Sequence, residues 1–520
     1  MMRVIKWILS VGLLAGGLGE SHAFSLLGRF KNGANGAAIP WQGTGFGGRP
    51  QGLGYQLQGD RGGPMNPLEA YRWNVPTITY AFDSTFLRYF GTNGVNAVEQ
   101  AIAILNAVPA ASKMTSTLTE FPLDATGVNQ DAQTLGLLDL KSTTLFLLMG
   151  QMGLADPERF VWGLRDRVVI PAGGTSITNY TVIQLNYDPV TLRESRYVNG
   201  VLYNYLIVDD LGPQGNEWAS AVEWYQLDPL FFPYSSIAGS GGSPDRQLGS
   251  SPDVTSLSIA GLIPGRYFRG LTRDDAGGLR FLLSTNNLAV ESLLPDVFGN
   301  ANQSSGTSPW VPFPGFTNAT GTNVVIPTNG FGLTNLTNFV RTALRPGRDK
   351  LTFQRVAFDS VLGATFTPLT NSFKDTFINP TNGKVTTQKL QRVILQPDIL
   401  FGVDDLGTDP LDGLPFLTAS TDTTRWSNNA ALNSALVGVR NLGGPGVITP
   451  GIQIIFSDLV PYYANQAPGN LESDGFLGLI WGSYDGTATP PVVYPVFQHP
   501  LLPDLSLQYL QSQALVRRNR

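Results

Sequence analysis

Glycine and proline divide this chain into short pieces. The 520 residues include 59 Gly and 36 Pro, so turns and short strands are favoured over long helices. The material between the breaks can still build cores. Hydrophobic residues make up 42% and aromatic residues 10%, and this length allows about two to four domains. Charge is scarce, at 14% where about a quarter is usual.

The first residues read as an export signal. Arg3 and Lys6 form a positive start, Trp7 to Leu14 an apolar run, and Ser21-His22-Ala23 a small-x-Ala cleavage site. Residues 1–23 are therefore expected to be removed, so that the mature chain begins at Phe24. The apolar run falls short of the ~20 residues of a membrane span, and no other segment is long and apolar enough to cross a bilayer. Cysteine is absent, so an exported chain of this kind depends on core burial, bound ions or assembly rather than disulfides. That pattern suits a secreted or cell-surface protein of bacterial type. The Asn-x-Ser/Thr sequons at Asn179, Asn302, Asn318 and Asn335 then carry little weight.

Several chemistries are limited by composition. The net charge is -5 and no basic run appears, which argues against a nucleic-acid partner. Only two histidines exist. His22 leaves with the signal, and His499 lies in a Pro-rich segment, so multi-histidine metal sites are excluded and a Ser-His-Asp triad has one possible base. Asp83-Ser84-Thr85 and Asp485-Gly486-Thr487 are not the paired loops of an aspartic peptidase. Gly239-Ser240-Gly241-Gly242 is a low-complexity near-miss of a serine elbow, not a strand-to-helix turn.

Residues 24–67 are Gly-rich and read as an extended or loosely ordered arm. An α+β region is expected over 68–299. It opens on the strand-like "YRWNVPTITYAFDSTFLRYF". A helix capped by Asn93 follows, with Val95, Val98, Ile102 and Leu105 on one face and Pro109 at its end. A second helix, "LKSTTLFLLMGQMGLADP" (140–157), is stopped by Pro157. From Ile177 strands take over, with a hairpin at Asn199-Gly200. Thr272 caps a third helix and places Asp274 and Asp275 at its positive end. Residues 300–338, rich in Asn, Thr, Gly and Pro, suggest a linker or crossing. Residues 339–500 read as a mainly β, sandwich-like region with a hairpin through Asn382-Gly383, and 501–520 as a tail.

Two sets of carboxylates have the residue types for chemistry. Glu217-Trp218 and Glu223-Trp224 offer the acid pair and aromatic platforms of a glycosidase, but on a helix a six-residue separation puts them on different faces. Asp404, Asp405, Asp409 and Asp412 crowd a Gly/Pro turn with the oxygen ligands that calcium prefers, although their spacing matches no established calcium loop.

The N-terminal half resembles the matrixin-like members of the metzincin zinc peptidases. "PTITYAFD" resembles their first strand, "VNAVEQAIAIL" the helix after it, "LKSTTLFLLMGQMGLADP" their active-site helix, and "LTRDDAGGLRFLL" their closing helix. The family's chemistry needs H-E-x-x-H-x-x-G-x-x-H, in which histidines one turn apart bind zinc and the Glu is the general base. Aligned on Gly153, the ligand positions here are Phe146, Gly150 and Asp156, with Leu147 at the base. Aligned on Gly150-Gln151, they are Leu147, Leu148 and Gln151. The resemblance thus implies the fold and argues against the zinc. Leu145, Leu148, Met149 and Met152 instead give the segment the apolar face of an ordinary amphipathic helix.

The expectation is an exported, non-catalytic extracellular or cell-envelope protein with a structural, adhesive or assembly role, whose partners are other subunits or a surface polymer. A carboxylate-based hydrolase or a carbohydrate-binding protein is the competing expectation.

Overall fold

The computed structural model describes residues 23–28, 63–172, 175–206, 209–211, 217–219, 223–226, 264–299, 339–359, 365–379, 382–406, 420–429, 445–458 and 480–495. Residues 1–22, all but the last residue of the expected signal segment, lie outside them, as do His499 and all of 300–338. The architecture is mixed α/β with strands predominating.

Its centre is a five-stranded sheet in the order Thr352–Arg355, Thr77–Phe82, Ile399–Asp404, Ile452–Ser457, Ser420–Asp422. The first four strands run parallel, and Ser420–Asp422 closes the edge antiparallel. Segments such as "TITYAF" and "IQIIFS" carry the β-branched and aromatic residues that favour strands. Parallel strands covered on both faces read as apolar runs, and Ile78, Phe401, Ile454 and Phe456 are accordingly fully buried.

This sheet joins the two stretches expected as separate domains. Thr77–Phe82 belongs to 68–299 and its sheet neighbours to 339–500. Both stretches also feed one hydrophobic core. Phe86 and Phe90 meet with ring centroids 4.8 Å apart, and Phe90 lies 5.7 Å from Phe456 and 6.2 Å from Trp481. Residues 300–338 therefore separate stretches of sequence, not cores. A second five-stranded sheet, in the order Ala289–Ser292, Thr342–Arg345, Leu369–Ile378, Val385–Ile394, Val297–Gly299, is antiparallel throughout. Its long hairpin turns through Asn382-Gly383, with Gly383 at φ 67°.

Three helices position the rest. Helix α1 (Ser84–Ala107) begins earlier than its sequence suggests. Asp83 caps it by accepting from the backbone N–H groups of Thr85 and Phe86, a strong signal that the surrounding aromatic residues hide. A kink at Gly91 (φ 59°, ψ -158°) sets off the second part, where Val95, Val98, Ile102 and Leu105 are buried. Helix α2 (Leu140–Gln151) packs against α1. It is buried on every side rather than amphipathic, with only Lys141 reaching partial exposure. It also ends well before Pro157. Gly153 takes φ 95°, which glycine adopts without steric cost, and Pro157 instead starts a short helix, Pro157–Phe160. Helix α3 (Arg273–Leu283) starts with the expected Thr272 cap, completed by Asp275 in a reciprocal capping box.

Of the expected Gly-rich arm, residues 24–28 and 63–67 are described, and they form regular elements. Phe24–Gly28 is a strand with every residue buried, paired antiparallel with Gly63–Met65, Leu154–Ala155 and Asn186–Tyr187. "FSLLG" is apolar enough to insert into the core but too short to stand out beside a Gly-rich stretch. The Asn199-Gly200 hairpin forms as expected, joining Tyr197–Val198 to Val201–Leu206 with φ values of 45° and 85° at the two turn residues. Among the described residues no helix is long and apolar enough to cross a membrane.

Candidate functional site

Helix α2 is where zinc-peptidase chemistry would reside, and its side chains are committed to packing. Phe146, Leu147 and Leu148 are buried. Gln151, the one residue of the second register with a polar head, is also buried. Its Nε2 donates to Asp422 Oδ2 at 2.7 Å and to Thr424 Oγ1 at 2.9 Å, and its backbone carbonyl accepts from Trp73 Nε1 at 2.8 Å. These bonds tie the end of α2 to the antiparallel edge strand of the central sheet. Asp156 lies past the helix, after the Leu154–Ala155 strand. Apolar side chains cannot ligate zinc, and the one amide of the second register, with its Nε2 donating to Asp422 and Thr424, is a single buried oxygen donor with no histidine beside it.

At the other end of α2, Asp139 caps the helix by accepting from the Ser142 backbone N–H at 3.0 Å. Burial pushes the Asp139 carboxyl up to about 6, against the opposing pull of the Lys141 ammonium and of hydrogen bonds from Ser142 and Tyr484. Burial also raises the Tyr494 hydroxyl to about 12 and pushes that of Tyr484 beyond the usual tyrosine range, with Asp139 adding to both.

Asp404 and Asp405 sit at the carboxyl end of Ile399–Asp404, beside Asp458 at the end of Ile452–Ser457. The Asp458 N–H donates to the Asp404 carbonyl at 3.0 Å, and the Asp405 N–H to Asp404 Oδ1 at 2.9 Å. Burial raises the Asp458 carboxyl, and the charges of Asp405 and Asp404 add to the rise. Among the described residues no group of three or more His, Cys, Asp or Glu is arranged to hold a metal ion. Asp409 and Asp412, the other half of the expected calcium loop, lie outside the described residues. Glu217 and Glu223 are on strands in separate sheets, opposite Leu211 and Leu206 respectively.

Sequence reasoning placed Thr272, Asp274 and Asn199 in a cap and a turn without joining them. In the structure the Asn199 N–H donates to Asp274 Oδ2 at 2.6 Å, the Asp274 N–H returns a bond to Asn199 Oδ1, and Asn199 Nδ2 donates to Thr272 Oγ1. Asp274 is fully buried. Burial raises its carboxyl well above the usual range, hydrogen bonds from the backbones of Asn199 and Ala23 draw it back, and the neighbouring Asp275 and Asp188 raise it further. A pairing between residues 75 apart leaves no local signal.

Buried ion pairs were missed for the same reason. Arg72 pairs with Glu291 at 2.7 Å, Arg345 with Asp375 at 3.1 Å, and Arg392 with both Asp296 and Asp398. Every carboxylate and guanidinium here has a partner from a different element or a distant turn. This marks a structural network, because buried charge needs pairing to be tolerated.

No family model, no curated protein and no solved structure matches this chain.

Proposed function

We propose that this chain is an exported, non-catalytic protein of the extracellular or cell-envelope space, with a structural, adhesive or assembly role. The observation that carries this reading is the state of α2. A helix with the rhythm of a peptidase active-site helix has its ligand positions filled by buried Phe146, Leu147 and Leu148, and by a Gln151 held to Asp422 and Thr424. It serves as a strut between α1 and the edge of the central sheet.

A degenerate metzincin-like fold is part of the same proposal. In its favour, "PTITYAFD" supplies a strand of the central sheet, α1 follows it directly, α2 packs on α1, and "LTRDDAGGLRFLL" forms the capped helix α3. The sandwich-like reading applies to the antiparallel sheet built from 289–299, 342–345 and 369–394.

The test is a peptide-hydrolysis assay on mature protein with added zinc, together with metal analysis after dialysis. Neither hydrolysis nor stoichiometric zinc is expected, and zinc-dependent cleavage would overturn the reading. Size-exclusion chromatography with and without EDTA examines the assembly role, and a monomer under both conditions would remove assembly from the proposal.

A further inference from the structure

The strand Phe24–Gly28 holds a position unusual for the start of a mature chain. All five residues are buried, and Phe24 lies against α3, with its ring centroid 5.5 Å from that of Phe281 and 6.4 Å from that of Tyr187. The residue before it, Ala23, is wholly buried and gives its backbone N–H to the Asp274 carboxylate. Ala23 is also the last residue of the Ser21-His22-Ala23 cleavage signal. Removal of the leader therefore takes one hydrogen-bond donor away from a buried carboxylate and creates a cation one residue further on.

We propose that the Asp274 pocket is the receptor for the chain's own processed N-terminus, binding the α-ammonium of Phe24. Hydrolysis of the Ala23–Phe24 bond, by water under a leader-removing peptidase, leaves a carboxylate on the departing Ala23 and an ammonium on Phe24. Adjacent Cα atoms are about 3.8 Å apart, so the freed ammonium starts one residue from the atom that already touches Asp274. It offers three N–H donors in place of the single one lost. The charged neighbours that act on Asp274, namely Asp275 and Asp188, are acidic, so the pocket as a whole favours a cation. The Asn199 backbone N–H holds the carboxylate in place, and Thr272 Oγ1 in turn accepts from Asn199 Nδ2. Export processing thus completes the fold by converting a backbone contact into a buried ion pair.

The proposal rests on the cleavage reading, so the experiment separates the two. A fusion cut without residual residues gives a chain that starts at Phe24, and a companion carries Gly-Ser ahead of Phe24. Both are melted, alone and with Asp274→Asn. The Phe24 start should melt about 2–3 °C higher than the extended chain, and Asp274→Asn should erase the difference. Equal melting of the first two chains, or a difference that survives Asp274→Asn, overturns the proposal. If Asp274→Asn does not fold, the unaltered Phe24-start chain is compared with the same chain acetylated at its α-amine. Acetylation should lower the melting temperature as the extension does, and no change overturns the proposal. N-terminal sequencing of exported protein tests the cleavage reading alone. A start other than Phe24 refutes that reading while the melting comparison still reports on the pocket.

Discussion

Gln151 and Asp422 join two parts of the fold that are 271 residues apart in sequence, through a 2.7 Å hydrogen bond from Nε2 to Oδ2. The bond fixes the end of α2 to the edge strand of the central sheet, where a second donor–acceptor contact to Thr424 reinforces it. It also sets the orientation of the one polar side chain in that register.

Removing the amide tests how much this tie contributes. Gln151→Leu keeps the volume but removes one donor from the part-buried Asp422 Oδ2, and losing such a bond costs about 1 kcal/mol. Urea unfolding should show a loss of this size with an unchanged m-value. The double variant Gln151→Leu with Asp422→Leu should recover part of it, because removing both partners is milder than orphaning one.

Arg392 and Asp398 make the same point with charge. Arg392 Nη1 donates to Asp398 Oδ2 at 2.9 Å, and Asp398 also accepts from the backbone N–H of Thr79 at 2.8 Å and from its hydroxyl at 3.0 Å. The trio links the long hairpin to two strands of the central sheet. Arg392→Met leaves a fully buried carboxylate without its guanidinium and should cost about 3–5 kcal/mol, read as a lower denaturation midpoint. A loss below about 1 kcal/mol would show that solvent reaches Asp398.

Local pattern carried part of this architecture into the sequence. The buried face of α1 at Val95, Val98, Ile102 and Leu105 follows the helical period, the Asn199-Gly200 turn follows from its need for positive φ, and the Thr272 box needs only neighbours three residues apart. Partners far along the chain leave no such trace. Thr77 and Thr352 sit side by side across 275 residues, and parallel pairing imposes no turn signal between them. "FSLLG" has too few residues to show a period, and its strand partners are scattered. The state of α2 was half legible. The missing histidines spoke against zinc, but burial on all sides became visible only with the packing of α1 and the central sheet.

Asp139 gives a pH dependence with a definite sign. Its folded-state carboxyl is raised from 3.8 to about 6, so the native state holds the proton more tightly than the unfolded chain. Its contribution is fully present below about pH 4 and is lost as pH rises through about 6. The span corresponds to about 3 kcal/mol. Asp139→Asn keeps a good N-cap and removes the titration. Stability measured from pH 4 to 7 should fall less steeply in the variant than in the unaltered chain, and parallel profiles would assign the slope to other groups.

Gly153 closes α2 at a point where no side chain fits. Its φ is 95°, and a Cβ there would lie 2.3 Å from the Tyr71 carbonyl oxygen, a backbone atom that cannot swing aside. Its own carbonyl accepts from the Leu27 N–H at 2.9 Å, so the same residue anchors the buried N-terminal strand. Gly153→Ala therefore meets both a conformational penalty and a clash, and should cost about 2–4 kcal/mol. Gly383, at φ 67° with open space around its Cβ position, is the control. Gly383→Ala carries the conformational term alone and should cost about 1 kcal/mol. Chemical denaturation of the two variants separates strain from steric exclusion. If Gly153→Ala is no more destabilised than Gly383→Ala, the backbone around Tyr71 yields and α2 does not depend on that close approach.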